Sequence, residues 1–169
     1  VMKKVLVTGA GGFIGGHLVK SLIAAGNHVR AIDIKPLNEW FQVENNAQNI
    51  ISDMRDTQSS AKSCDGIDTV YNLASDMGGM GFIENHKAEC MVSVLINTNL
   101  LEASRKSKVE RYFYSSSACV YNGTKQQYSN VTALKESDAY PADPEDGYGW
   151  EKLFSERMCR HFREDYGIH

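Results

Sequence analysis

The chain has 169 residues, enough for one domain with a sizeable core, and its 42% hydrophobic and 23% charged content is that of an ordinary globular protein. A formal net charge of −3 argues against a general nucleic-acid binder or an anionic-membrane binder. No apolar run approaches the ~20 residues of a membrane span, and the apolar start at residues 5–7 is too short for a signal-peptide core. Cys64, Cys90, Cys119 and Cys159 are scattered, with no Cys-x-x-Cys and no histidine pairing, which predicts reduced thiols in a cytoplasmic protein and no metal site.

Residues 3–8 read as a short buried strand that runs straight into Gly9-Ala10-Gly11-Gly12-Phe13-Ile14-Gly15. Helical spacing follows over 13–25 and stops at Gly26. A second apolar strand over 28–32 closes on Asp33. Strand, glycine turn, helix, strand and acid in this order predict a dinucleotide site. Glycines 9, 12 and 15 then divide three tasks: a tight turn, an approach path for a pyrophosphate, and close helix–strand packing. The helix N-terminus offers unpaired N–H groups to the phosphates. Asp33, 18 residues after Gly15, stands where a carboxylate would meet the adenosine ribose hydroxyls and repel a 2′-phosphate, so NAD is favoured over NADP despite Lys35.

Residues 36–47 are polar and irregular, with Trp40 and Phe41 as packing anchors. A third strand is predicted at 49–52, then Asp53-Met54-Arg55-Asp56, where Asp53 either meets an adenine amino group or caps the helix predicted at 57–64. A fourth strand at 68–73 ends near Ala74, where small residues let backbone pass close to a cofactor. Ser75-Asp76-Met77-Gly78-Gly79-Met80-Gly81-Phe82 reads as a mobile loop at that strand's carboxyl end, either a ligand-contacting loop or an ordinary flexible one. One long helix is predicted over 84–107, with His86 and Cys90 in packing roles and Asn97 in need of buried partners. A fifth strand over 110–115 leads into Ser115-Ser116-Ser117-Ala118-Cys119, and a polar loop over 122–146 delivers the chain to a last helix at 148–166.

Tyr148 and Lys152 are four apart and share one face of that helix. A neighbouring ammonium favours the phenolate, which would let Tyr148 exchange a proton with a substrate hydroxyl. The same pair also fits the exposed face of an amphipathic helix.

Taken together, Thr8 to Gly15, Asp33, Asp53, Asn72-Leu73-Ala74, Ser115 to Tyr121 and Tyr148-x-x-x-Lys152 resemble the extended short-chain dehydrogenase/reductase family of nucleotide-sugar enzymes, the NAD-dependent epimerases and dehydratases. Asp76 to Ile83, Ser116 to Cys119, Lys135 to Ala139 and Pro141-Ala142-x-Pro144 are similar, within that family, to the 3,5-epimerases of GDP-mannose. The resemblance implies an α/β fold, a Rossmann-type doubly wound parallel sheet, and one NAD-binding domain over residues 1–169. It implies cofactor contacts from Gly9, Gly12, Phe13, Ile14, Gly15, Asp33, Asp53, Met54, Leu73, Ala74, Tyr148 and Lys152. Gly78, Gly79, Met80, Ser117, Ala118 and Cys119 would face the sugar of a nucleotide-diphosphate sugar, GDP-mannose favoured, and Ser117, Cys119, Tyr148 and Lys152 would do the chemistry.

By the same resemblance, Tyr148 takes the proton of the sugar C4 hydroxyl while hydride passes to NAD, and Lys152 holds the nicotinamide ribose. The ketone acidifies neighbouring C–H bonds, and Cys119 serves as one member of an acid/base pair. Family members continue with a further strand and a smaller nucleotide-sugar domain. The chain is therefore expected to be the amino-terminal part of a homodimeric enzyme, with little or no turnover alone and a sheet edge left open. The alternatives are a UDP-sugar 4-epimerase or 4,6-dehydratase of the same family, or a non-catalytic NAD-binding module.

Overall fold

The computed structural model describes residues 2–130 and 132–169. Successive side chains of a strand alternate. Val5 and Val7 of β1 (Lys4–Thr8) therefore join one hydrophobic cluster, and Leu6 joins another. Both sides of β1 are buried, so it must lie inside a sheet covered on both faces. Five parallel strands pair in the order β3-β2-β1-β4-β5, with β2 at His28–Asp33, β3 at Gln48–Ile51, β4 at Thr69–Asn72 and β5 at Arg111–Tyr114. The order reverses between β2 and β4 on either side of β1, and crevices at such a reversal open at the strands' carboxyl ends.

On one face, α1 (Phe13–Ala24) and Trp40 close over Val5, Val7, Val29 and Ala31. On the other, α2 (Thr57–Cys64) and α5 (Val94–Lys106), the latter through Ile96 and Leu100, cover Leu6, Ile32 and Val70. Leu6 is fully buried, a contribution of about 2 kcal/mol relative to exposure. Helix α1 ends where the chain reaches Gly26 at φ 84°, a left-handed position that suits glycine. Trp40 is buried as expected, whereas Phe41 is exposed and forms an edge-to-face cluster with Phe13 and His17.

The helix predicted over 84–107 is three helices: α3 (Met80–Asn85), α4 (Lys87–Val92) and α5. His86 leaves helical dihedrals (φ −123°, ψ 46°), and its ring stacks on Phe82 at 4.4 Å. At the second break the buried Ser93 hydroxyl accepts the Asp76 N–H at 2.9 Å. The first break therefore carries a ring stack, and the second ties the chain after β4 to the helical layer. The predicted mobile loop is correspondingly shorter, because Met80 already begins α3.

Helix α6 (Asp146–Tyr166) packs on α4 and α5 and ends at Gly167, φ 71°. Beyond it Ile168 is buried, the Tyr112 N–H donates to the His169 carbonyl at 2.7 Å, and the His169 N–H donates to the Glu110 carbonyl at 3.1 Å. The β5 edge expected to be open is thus partly paired by the chain's own last residues. Among the described residues no helix is long and apolar enough to cross a membrane.

Candidate functional site

A cavity of about 530 Å³ lies at the carboxyl ends of β1, β2, β3 and β4. Gly9, Gly12, Phe13, Ile14, Gly15, Asp33, Asp53, Met54, Leu73 and Ala74 all line it, so the ten cofactor positions expected ahead of α6 share one wall. Gly9 has φ 72°, and a Cβ there would stand 2.7 Å from the Leu73 carbonyl carbon. The turn therefore needs glycine for both its conformation and its contact with the end of β4. A Cβ on Gly15 would lie 2.1 Å from the Gly9 carbonyl oxygen, whereas one on Gly12 would meet only that oxygen, at 3.4 Å. Gly15 lets α1 press onto the turn, and Gly12 leaves the helix end bare. No side chain caps that end, so the first-turn N–H groups face the cavity rim as donors for a pyrophosphate.

Asp33 lines the same cavity, and its carboxylate accepts the Gly11 N–H at 2.9 Å and the Lys35 N–H at 3.0 Å. Lys35 lines the cavity too, and its ammonium donates to the Gly11 carbonyl at 3.0 Å. Asp53 does not cap α2; Asp56 does, accepting the Ser59 N–H at 2.7 Å. Asp53 instead receives the Arg55 guanidinium at 2.8 Å, and this pairing holds its carboxyl below the usual range. Arg55 also reaches Asp76 at 3.7 Å, linking the chain after β3 to the chain after β4 along the cavity wall. Arg55 and Asp76 were not among the expected contacts. The signal for Arg55 was its spacing two residues beyond Asp53.

Helix α6 begins wedged between two elements. A Cβ on Gly147 would stand 2.7 Å from the Lys87 carbonyl oxygen of α4, and one on Gly149 would stand 2.5 Å from the Cys119 carbonyl oxygen. The glycines on either side of Tyr148 thus let the helix start sink between α4 and the turn after β5. Asp146, at φ 45°, is held by Lys87 at 2.6 Å as the chain enters this wedge.

Tyr148 and Lys152 are each only 4% exposed, which removes the surface-helix reading of the pair. The Tyr148 hydroxyl lies 3.5 Å from the Met77 Sδ, and Met77 lines the cavity. The Lys152 ammonium donates to the Ser115 carbonyl at 2.9 Å and sits 4.9 Å from the Tyr114 ring centroid and 5.5 Å from that of Tyr148. Ser115 lines the cavity as well, so both α6 side chains abut its wall through one intervening residue.

The expected lowering of the Tyr148 pKa by Lys152 is not found. Burial pushes the Tyr148 hydroxyl above its ordinary value, and the nearby Ser117 hydroxyl works against that rise. Lys152 is pushed down by burial and up by Glu151. The ammonium stands over the ring, 5.5 Å from its centroid.

Ser117 opens the short 3₁₀ turn Ala118–Val120, and its hydroxyl accepts the Cys119 N–H at 3.2 Å. Cys119, a half-buried free thiol, packs in one cluster with Ile83, Cys90, Tyr148 and Phe82. The structure therefore brings Ser117, Cys119, Tyr148 and Lys152 together. Gly78 sits before α3, where a Cβ would clash with Phe82 at 2.7 Å, while Gly79, Met80 and Ala118 are exposed. None of these four lines the cavity itself. Among the described residues no three His, Cys, Asp or Glu side chains are grouped to hold a metal ion.

The chain is 45% identical to GDP-mannose 3,5-epimerase 1 of Oryza sativa subsp. japonica, over 98% of this chain and 44% of the relative. It is 43% identical to GDP-mannose 3,5-epimerase of Arabidopsis thaliana, again over 98% and 44%. It thus spans less than half the length of these curated relatives. A crystal structure of UDP-galactose 4-epimerase superposes with a TM-score of 0.83 at 26% identity, covering 98% of this chain and 53% of that one. The NAD dependent epimerase/dehydratase family matches residues 5–169, and the chain belongs to that family.

Proposed function

We propose that the protein carrying this chain is a nucleotide-sugar 3,5-epimerase acting on GDP-mannose. The observation that carries the reading is the convergence at Tyr148: its hydroxyl meets Met77 of the cavity wall, and its ring packs with Cys119. A redox tyrosine and an acid/base thiol then face one sugar ring. The 45% and 43% identity to GDP-mannose 3,5-epimerases supports the substrate and the epimerised carbons.

NAD, when bound, supplies the acceptor and later the donor of the C4 hydride. Tyr148 takes the C4 hydroxyl proton, with the nearby Ser117 hydroxyl favouring the phenolate and Lys152 fixed by the Ser115 carbonyl at the cofactor side. Cys119 exchanges a proton at the carbons acidified by the C4 ketone. A thiolate is the active form for that step. Gly78, Gly79, Met80 and Ala118 frame the sugar. The four free cysteines support a cytoplasmic setting. Exposed apolar side chains on α4, α5 and α6 (Met91, Leu95, Trp150 and Phe154) support a homodimer.

The test is product analysis of GDP-mannose after incubation with the protein and NAD. Products epimeric at C3 and C5 are expected. Turnover of a UDP-hexose at C4 alone, or a 6-deoxy product, would replace the reading with a 4-epimerase or a 4,6-dehydratase.

A further inference from the structure

Glu151 has no part in the chemistry above, yet it is a carboxylate only 4% exposed, immediately before Lys152. Its Oε1 accepts the Tyr114 hydroxyl at 3.2 Å and the Ser155 hydroxyl at 3.0 Å, while its buried Oε2 has no partner. A buried carboxylate with an idle oxygen is costly and calls for an explanation. Tyr114 supplies one, because the same side chain that donates to Glu151 carries the Lys152 ammonium 4.9 Å from its ring centroid.

We propose that Glu151 is the positioning residue for Lys152: through Tyr114 it fixes the ring on which the ammonium rests, and it supplies the carboxylate beside that buried amine. This deepens the proposed function, which needs Lys152 in place and charged beside the cofactor.

A lone buried lysine sheds its proton readily. Lys152 has one hydrogen-bond acceptor, the Ser115 carbonyl, and two ring faces, so neutral groups alone hold it weakly. Burial lowers its pKa and Glu151 opposes that fall, while Glu151 is itself pushed up by burial and down by Lys152, Ser155 and Tyr114. The other titratable groups around the pair are Tyr114 from β5, Cys90 from α4, Cys119 from the turn after β5, and Tyr148 and Cys159 on α6. From α5 the facing group is the uncharged Asn97 amide, which donates to the Ser155 carbonyl. Glu156, one turn on along α6, is taken up by the Ser116 hydroxyl, and Glu151 is the carboxylate that opposes the fall at Lys152.

The experiment follows Lys152 directly, by NMR titration of the 13Cε resonance in the lysine-labelled chain, with Lys152→Met to assign the signal. It requires neither NAD nor sugar, so its failure and the failure of the epimerase reading are separable. Glu151→Gln keeps the shape and removes the charge. The Lys152 midpoint should fall by about one pH unit, a roughly tenfold loss of the charged form at a fixed alkaline pH. Tyr114→Phe keeps the ring and removes the donor, and should move the midpoint the same way by less. If Glu151→Gln does not fold, Tyr114→Phe decides alone. A purely structural Glu151 would lower the melting temperature and leave the Lys152 midpoint in place. An unshifted midpoint in the folded variants overturns the proposal.

Discussion

Gly12 and Gly15, three residues apart, should fail in different ways when each receives one methyl group. In Gly15→Ala the new Cβ would stand 2.1 Å from the Gly9 carbonyl oxygen and 2.9 Å from the Ala10 Cα, where ordinary contact begins at 3.4 Å. Helix α1 must back away from the turn by more than an ångström. That strain in a packed core costs about 1–3 kcal/mol, and a domain of this size loses roughly 2–4 °C of melting temperature per kcal/mol. In Gly12→Ala the Cβ meets only the Gly9 oxygen at 3.4 Å, and the backbone there (φ −81°, ψ 173°) suits any residue. Stability should fall by less than about 1 kcal/mol, the usual scale of an N-cap change. The methyl group would, however, stand where the pyrophosphate must approach the first-turn N–H groups. Thermal denaturation and NAD titration on the same samples separate the two. Gly12→Ala should melt near the parent temperature and bind NAD at least about tenfold more weakly, a loss of ~1.4 kcal/mol. Gly15→Ala should melt several degrees lower. If Gly12→Ala bound NAD like the parent, or Gly15→Ala melted like it, the division of tasks between these glycines would be refuted.

Asn97→Ala should cost about 2–4 kcal/mol in urea denaturation. It strips the acceptor that the Asn72 amide reaches at 3.2 Å and the Tyr112 hydroxyl at 2.7 Å; the Asn72 amide keeps the Tyr112 oxygen at 3.2 Å, but the Tyr112 hydroxyl loses its acceptor. Arg55→Met should change stability at pH 7 by less than about 1 kcal/mol, because the Asp53 pair is partly exposed. Asp53 has a lowered folded-state pKa, so this small term is present above its unfolded value and vanishes as pH falls through the folded one; parent and variant should converge in acid. Alkylation at pH 8 followed by mass spectrometry should label half-buried Cys119 before Cys64 and Cys159, whose thiols burial pushes up to about 11.

Much of the fold was legible because its signals are local. The glycine turn, Gly26 and the apolar strands carry their instructions within a few residues, and β1, α1, β2, α2 and β5 fall within a residue or two of their predicted bounds. The breaks at His86 and Ser93 were not legible, since each is tied to a tertiary contact: a ring stacked on Phe82, and a hydroxyl held by the Asp76 N–H. At the site, the cavity wall could be read because Gly9, Gly12, Gly15 and Asp33 follow a fixed spacing. The state of Tyr148 could not. Helical spacing puts Lys152 on its face, but only packing shows that burial outweighs the ammonium and that the amine rests over the ring. Arg55 and Glu151 were hidden for a related reason: an acidic or basic residue beside a motif reads as solvated until its partners, Asp76 or Tyr114, are seen across the fold.

If Tyr148 and Cys119 act in turn on one sugar ring, as proposed, GDP-mannose must exchange carbon-bound hydrogen with solvent. Deuterium incorporation into GDP-mannose in D₂O, followed by NMR with the NAD-loaded protein that carries this chain, reads that exchange. Label should appear at C3 and C5 with the parent protein. It should be abolished in Tyr148→Phe, because no ketone forms to acidify the carbons, and sharply reduced in Cys119→Ala. Exchange at neither carbon with the parent protein, or undiminished exchange in Tyr148→Phe, would contradict the account.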